Sequence, residues 1–185
     1  FAKGWDGGSG NTTKYLSTAN QLGIDGGIIT MSAWVKFYPG YPVGREDIVE
    51  QANNTSKTYQ LLNVDPDFIN FSRNAQGGGG TSCAATIASS TPDYISTSKF
   101  VNVVYVYDGT NVNAYSNGKF YSSCASSGNG ISGTLNGFSI GALMNGSNKA
   151  SAIIDEVIVE ARAWSSQEIR NYYNQAKGRM NPRMQ

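Results

Sequence analysis

The sequence predicts an all-β protein: an antiparallel β-sandwich with one short C-terminal helix. Apolar and polar residues alternate at the period of a strand along most of the chain, Asn-Gly and Asp-Gly pairs recur between these runs, and a single segment has helical periodicity. The 185 residues are enough for one hydrophobic core and few for two. We therefore expect a single domain over 1–185, with a core at 5–176 and a frayed C-terminal tail at 177–185.

Two strands are the clearest. Apolar side chains occupy every second position from Ile29 to Phe37 and give one apolar face, whereas the segment from Phe100 to Tyr107 is apolar on nearly both faces, as in a central strand. Shorter strands are expected at Lys14–Ser17, Asp47–Gln51, Thr58–Val64, Phe68–Arg73, Cys83–Ala88, Val112–Tyr115, Lys119–Ser123, Gly137–Gly141 and Ile153–Ala161.

Local signals define the turns and the helix. The Asn117-Gly118 pair lies between two short strands and predicts a tight hairpin. Ser165 is a good N-cap, and Glu168 three residues later completes a capping box. The apolar residues that follow fall on one helical face: Ile169, Tyr172, Tyr173 and Ala176.

Composition excludes several classes of function. Charged residues are 15% of the chain and the net charge is +1, so no general attraction for nucleic acid or acidic membranes is expected. Histidine is absent, which excludes histidine-based triads and histidine-ligated zinc or haem. No apolar run is long enough to span a membrane, and the N-terminus lacks the pattern of a signal peptide. Because the chain begins at Phe1, we interpret it as a mature product or an excised domain.

The chain has two cysteines, Cys83 and Cys124. They are 41 residues apart and form no CxxC pair, so they cannot build a standard zinc site. We favour a disulfide between them, with two free thiols as the alternative.

Four segments in order carry a family pattern. They are Trp5-Asp6-Gly7 with Lys14-Tyr15-Leu16, the strand from Ile29 to Lys36, the run from Phe100 to Lys119, and the run from Ile154 to Val159 with Ala163-Trp164-Ser165 and Glu168-Ile169. Together they resemble the concanavalin A-like lectin/glucanase superfamily and, within it, the laminin G-like (LamG) jelly-roll domains. The resemblance implies a two-sheet antiparallel jelly-roll sandwich.

The resemblance also implies a role in recognition. Members commonly bind glycans, or in some cases proteins, and many are modules of secreted or surface proteins, including adhesins and modular pilins. We therefore expect a non-catalytic, extracellular, carbohydrate-binding module of a surface adhesin or modular pilus protein. Its partners would be glycans, together with neighbouring domains or subunits of a larger surface protein. The alternative is a protein-binding or assembly domain of an extracellular filament or shell.

Calcium is the cofactor that the resemblance implies. Asp6 and Asp155 match family positions that lie close together where the first and last strands meet. The alternative interpretation is that Asp6 supports an Asp-Gly turn. A second acidic group comprises Glu46, Asp47 and Glu50, with Asp65 and Asp67 further on; the alternative there is that Glu46 and Asp47 are solvated loop acids.

Glycan recognition needs aromatic faces for sugar C–H groups, with amide, carboxylate and guanidinium groups for the hydroxyls. Trp34 and Trp164 are expected to be core residues, which leaves the more polar loops. A surface rich in Tyr, Ser, Gly and Asn suits polar recognition. The candidate ligand-binding residues are Tyr38, Tyr41, Arg45, Glu46, Asp47, Asn53, Asn54, Tyr59 and Asn145.

A glycosidase is the least favoured alternative. Its chemistry needs two carboxylates about 5–10 Å apart in a cleft. The Glu-x-Asp-x-x-Glu pattern of the superfamily's glucanases is absent, and the nearest approach is the run from Asp155 to Glu160. Strand alternation would place Glu156 and Glu160 on one face with Ile158 between them, and Asp155 on the other. We expect no catalysis.

Overall fold

A computed structural model describes residues 5–6, 15–18, 27–40, 42, 44–53, 58–74, 83–127, 137–143 and 145–181, with the backbone alone at 5–6, 53 and 58–61. The strands in these ranges are β1 (Trp5–Asp6), β2 (Leu16–Ser17), β3 (Ile29–Phe37), β4 (Glu46–Asn53), β5 (Thr58–Val64), β6 (Phe68–Asn74), β7 (Cys83–Ala88), β8 (Val101–Tyr107), β9 (Asn111–Ser116), β10 (Lys119–Ala125), β11 (Gly137–Ile140) and β12 (Ala152–Glu160). One helix, α1 (Ser166–Met180), follows them.

The strands form two antiparallel sheets packed face to face, as expected. Sheet A has the order β1-β12-β3-β8-β9-β10, and sheet B has the order β2-β11-β4-β5-β6-β7. Many neighbours in the sheets are distant in sequence, and β12 pairs with both β1 and β3. No helix in the described part of the chain is long and apolar enough to cross a membrane.

The hydrophobic core lies between the sheets and follows the predicted alternation. The inward residues of β3, from Ile29 to Phe37, are almost completely buried. They share one cluster with inward residues of β5, β6, β8 and β12, among them Leu62, Phe71 and Val103. Burial of these apolar side chains is the main favourable contribution to folding.

The predicted disulfide is present. Cys83 begins β7, an edge strand of sheet B, and Cys124 lies in β10, an edge strand of sheet A. Their Cα atoms are 5.9 Å apart, within the range that a disulfide spans. Ser122 adds a hydrogen bond from its hydroxyl to the carbonyl of Thr86, so the two sheets are joined along this edge.

Helix α1 packs on the outer face of sheet A. Ser165 and Glu168 form the predicted capping box. The helix continues to Met180, beyond the expected core limit at residue 176, because Asn181 caps it and exchanges two hydrogen bonds with the backbone of Phe100. Beneath the helix, Trp34 is completely buried. Its core position was predicted correctly, but it contacts the helix rather than sheet B.

A β-bulge in β12 changes which side chains share a face. Asp155 opposes Trp34, but Ile158 opposes Ser32, so one extra residue is inserted in β12. Glu156 takes the left-handed backbone conformation there, with φ of 45°. Since directly opposed residues share a face, Asp155 lies on the helix-covered side with Ile158 and Glu160. The expectation that Asp155 faces the other way was wrong, because regular alternation is broken at the bulge.

Candidate functional site

The structure divides the predicted ligand-binding residues between the two ends of sheet B. Tyr38, Arg45 and the loop bearing Asn145 lie where β4 begins, whereas Asn53 and Tyr59 lie where β4 ends and β5 begins. The eight residues of β4 separate these ends by about 25 Å. The set therefore cannot form one small binding site. Tyr41 and Asn54 lie outside the described residues, as do the side chains of Asn53 and Tyr59.

The acids at the start of β4 are buried, so the interpretation of them as solvated loop acids was wrong. Glu46 accepts a hydrogen bond from the Ser151 backbone N–H at 2.6 Å. Asp47 is 0% exposed and accepts from Arg45 Nε at 3.1 Å. Burial raises the pKa of Asp47 to about 6, although Arg45 and Asn148 act in the opposite direction. These contacts hold the 145–151 loop against β4.

Asn145 is exposed at the surface of this loop. Its side-chain oxygen accepts hydrogen bonds from the backbone N–H and the hydroxyl of Ser147, at 2.9 and 2.7 Å. This is an Asx-type turn, so the Asn145 amide oxygen already has a structural role.

The two predicted calcium ligands lie on neighbouring strands. Asp6 in β1 opposes Ile153 of β12, two positions before Asp155. The Asp6 side chain is outside the described part, and Asp155 Oδ1 accepts a hydrogen bond from the Glu156 N–H at 2.7 Å. Within the residues that the structure describes, no group of three or more His, Cys, Asp or Glu side chains could hold a metal ion.

Three side-chain oxygens on sheet B accept no hydrogen bond from the protein and could therefore bind a cation. They are Asp47 Oδ2, Asn63 Oδ1 and Asn70 Oδ1, all buried. Asp47 opposes Asn63, and Asn63 opposes Asn70, so the three residues form a row across β4, β5 and β6 on the face away from the core. Carboxylate and amide oxygens are the ligands that calcium prefers. Of the described residues, this row fits a cation better than the surroundings of Asp155, although Arg45 competes for Asp47.

An open groove lies between β12 and α1. It has a volume of about 360 Å³. Apolar and aromatic side chains and a rim of planar polar groups line it: Ile158, Glu160, Arg162, Trp164, Glu168, Asn171, Tyr172 and Gln175. We call this the β12–α1 groove.

An ion-pair network orders one wall of the β12–α1 groove. Arg162 Nε lies 2.8 Å from Glu160 Oε2, and its Nη1 lies 2.7 Å from Glu168 Oε1. Trp164 Nε1 also donates to Glu160 Oε2, at 2.8 Å. The Ser165 backbone N–H, and then Arg162, lower the pKa of Glu168. A lowered pKa is the opposite of what a glycosidase general acid needs.

The floor of the groove is fixed by a second network. Tyr172 Oη accepts from Trp34 Nε1 at 3.2 Å and donates to Glu156 Oε2 at 3.1 Å. Arg179 Nη2 lies 2.8 Å from the other oxygen of Glu156. Burial raises the pKa of Tyr172 to about 12, so it stays protonated as the donor. Glu156 therefore has a structural role at the bulge, with its charge paired.

This arrangement suits reversible binding of a polar ligand. Exposed amides at Asn171 and Gln175 can donate and accept hydrogen bonds, and an apolar floor can receive C–H groups. Sequence reasoning did not single out Arg162, Asn171 or Gln175. The available signal was the polar stripe formed by Glu168, Asn171 and Gln175 at helical spacing beside the apolar face of α1.

The family of the chain follows from comparison with known proteins. A laminin G family model, described as the concanavalin A-like lectin/glucanases superfamily, matches residues 9–170. No curated protein sequence matches the chain.

Solved structures with the same fold include domains LG4-5 of the mouse laminin alpha1 chain, with TM-score 0.64 and 13% identity over 89% of this chain and 43% of that one. The binding domain of botulinum neurotoxin DC matches in its complex with SialylT, with TM-score 0.58 and 15% identity over 81% of this chain and 36% of the other. The same domain in complex with rat synaptotagmin II gives TM-score 0.59 and 14% identity, also over 81% and 36%. The chain spans less than half of each of these structures.

Proposed function

The chain belongs to the concanavalin A-like lectin/glucanases superfamily, and from that premise we propose that it is a non-catalytic carbohydrate-binding module whose ligand occupies the β12–α1 groove. The observation that carries this proposal is the composition of the groove: an aromatic and aliphatic floor with exposed amide, carboxylate and guanidinium groups at its rim. Sugars present both C–H faces and hydroxyl groups, so they complement both parts.

The surroundings support binding rather than catalysis. Glu160 and Glu168 are both paired with Arg162, and the lowered pKa of Glu168 makes this acid poorly suited to protonate a leaving group. The binding domain solved with SialylT has the same fold. A disulfide favours an oxidising, extracellular location, in which such a module would belong to a surface adhesin or modular pilus protein.

The test is a glycan array with the purified protein, run with calcium and with EDTA. Bound glycans are then titrated against the Asn171→Ala variant and a matched control, Asn174→Ala. Both positions are exposed asparagines of α1, but only Asn171 lines the groove. We expect Asn171→Ala to weaken binding about five- to tenfold, as for loss of one or two hydrogen bonds, and Asn174→Ala to leave it unchanged. Equal affinity of the two variants would contradict the groove as the site.

Calcium is a separate part of the proposal. The row formed by Asp47, Asn63 and Asn70 provides a carboxylate and two amide oxygens for an ion, and Asp6 with Asp155 is the second candidate. The row lies on the outer face of sheet B and the groove on the outer face of sheet A, so we expect an ion at the row to act on stability: EDTA should lower the Tm, and added calcium should restore it. Asn63→Asp would then strengthen calcium binding. An unchanged Tm in EDTA would remove calcium from the proposal.

A second candidate function is protein binding or assembly. Phe120 in β10 is 54% exposed and Leu16 in β2 is 52% exposed, and both lie on edge strands. A domain of the same fold is solved with rat synaptotagmin II. This candidate predicts that the folded protein binds no glycan, with or without calcium, and that it self-associates or binds a partner protein. Phe120→Ser should abolish that association. This pair of results would favour the protein-binding candidate over the lectin.

A further inference from the structure

Arg73 is a buried cation inside the sandwich. It follows Ile69 and Phe71 on the inward face of β6 and is 0% exposed. Its register partner is Cys83, so Arg73 lies between the sheets near the disulfide. Burying a guanidinium is strongly unfavourable unless its charge and its hydrogen bonds are satisfied.

One nitrogen and one face of the Arg73 guanidinium have partners in the protein. Nη1 donates to Ser126 Oγ at 2.9 Å, and Cζ lies 4.0 Å from the centroid of the Tyr107 ring. Nε and Nη2 have no hydrogen-bond partner. These two nitrogens present parallel N–H groups along one side of the guanidinium, the fork that binds the two oxygens of a carboxylate or a single halide. The unsatisfied donors are therefore arranged for one anion.

Within the described part of the chain, Arg73 has no carboxylate partner. None of the ion pairs between described residues includes it. Asp108, the acid next to Tyr107 in sequence, accepts hydrogen bonds from Thr110 N, Asn111 N and Asn113 Nδ2 instead. The segments that follow β6 and β10 in sequence, residues 75–82 and 127–136, contain no Asp or Glu.

We propose that the Nε–Nη2 fork of Arg73 binds a small monovalent anion, chloride or the carboxylate of a small acid, enclosed between the two sheets beside the disulfide. The anion neutralises the buried cation and satisfies both remaining donors. No water-sized space adjoins either nitrogen, so the ion enters, and the packing around the fork adjusts to hold it, when the end of the sandwich opens locally. This site lies between the sheets, whereas the β12–α1 groove lies on the outer face of sheet A, so the proposal does not depend on carbohydrate binding.

A direct test is crystallography of the wild-type protein in bromide, in formate, and in a bulky sulfonate that the enclosed fork cannot accommodate. We expect a bromide anomalous peak about 3.3 Å from both Nε and Nη2, or a formate in bidentate contact with them. A bromide peak identifies a halide site, and formate alone identifies a carboxylate site. A water, or no density, in the bromide and formate crystals would overturn the proposal.

A second test uses thermal unfolding at constant ionic strength, with chloride exchanged for the bulky sulfonate. An anion at about five times its Kd raises the Tm of a domain of this size by about 2–4 °C. We expect this rise in the wild type and in the control Arg170→Met, which changes an exposed arginine of α1. Arg73→Met should show no chloride dependence. The same chloride dependence in Arg73→Met would contradict a site at Arg73, and if that variant does not fold, the crystals of the wild type decide.

Discussion

Tyr173 of α1 stacks on Trp34 of β3, with ring centroids 5.7 Å apart and ring planes within 14° of parallel. Together with the hydrogen bond from Trp34 Nε1 to Tyr172, this contact fastens the helix to the outer face of sheet A. It also fixes one wall of the β12–α1 groove. The helix is thus part of the folded domain and shapes its candidate binding site.

The first prediction concerns this attachment. Trp34→Ala should lower the free energy of unfolding by about 3–5 kcal/mol, because it removes a fully buried aromatic side chain. Tyr172→Phe should cost about 1–2 kcal/mol, since it removes the acceptor for Trp34 Nε1 and the donor to Glu156. Denaturant unfolding measures both. Asn174→Ala on the exposed side of α1 should change stability by less than about 0.5 kcal/mol; a cost as large as that of Tyr172→Phe would contradict the assigned contacts.

The second prediction concerns the disulfide. Cys83 and Cys124 close a loop of 41 residues, and the chain-entropy estimate for such a loop is about 4 kcal/mol. We expect Cys83→Ala/Cys124→Ala to lower the free energy of unfolding by about 2–4 kcal/mol. Reductant should destabilise the wild type by a similar amount and leave the double variant unchanged. Intact mass after alkylation, without reduction, should show no modified cysteine; two alkylated thiols would rule out the bond.

The third prediction is a pH dependence from Asp47. Its pKa is raised from 3.8 to about 6 by burial, so the folded state binds a proton more tightly than the unfolded state between these values. The contribution of Asp47 to the free energy of unfolding is complete below about pH 4. It is lost as the pH rises through 6, by about 3 kcal/mol in total. The difference in unfolding free energy between the wild type and Asp47→Asn, measured in calcium-free buffer, should therefore fall from pH 4 to pH 6.5.

Asp93 provides a control, because its pKa shifts in the opposite direction from that of Asp47. Burial alone would raise its pKa, but hydrogen bonds from Asn117, Lys119 and Tyr121 outweigh burial and lower it. The stability that Asp93 contributes is therefore present above the unfolded pKa and is lost as the pH falls below it. Asp93→Asn should diverge from the wild type towards neutral pH. If the unfolding free energies of Asp47→Asn and Asp93→Asn, each relative to the wild type, changed with pH in the same direction, the raised pKa of Asp47 would be contradicted.

The fourth prediction concerns Gly137, the first residue of β11. Its φ is 123°, and a Cβ at this position would clash with the Thr18 carbonyl oxygen. Gly137→Ala should therefore destabilise the protein by about 2 kcal/mol or more, because the pairing of β2 with β11 must shift. Gly178→Ala in α1 meets no atom and should stabilise by about 0.5–1 kcal/mol. Thermal unfolding of the two variants measures the contrast, and equal effects would contradict the close approach at Gly137.

The sequence by itself determined the local elements and the family. Alternation along Ile29–Phe37, the Asn117-Gly118 turn and the Ser165–Glu168 capping box are local signals, because each depends on residues a few positions apart. The four family segments added the order of the elements, and the described strands agree with it. The disulfide was favoured from the count and spacing of the cysteines, and the structure supplied the geometry.

The tertiary structure decided what depends on strands that are distant in sequence. It separated Arg45 from Tyr59 by the length of β4, buried Asp47, and left the fork of Arg73 unpaired between two sheets. It also brought β12 and the helix together on one face of sheet A, where the β12–α1 groove lies between them and Tyr172 contacts Glu156 at the bulge. No local pattern reports such features, because burial and partners are set by pairing between strands as far apart in sequence as β1 and β12.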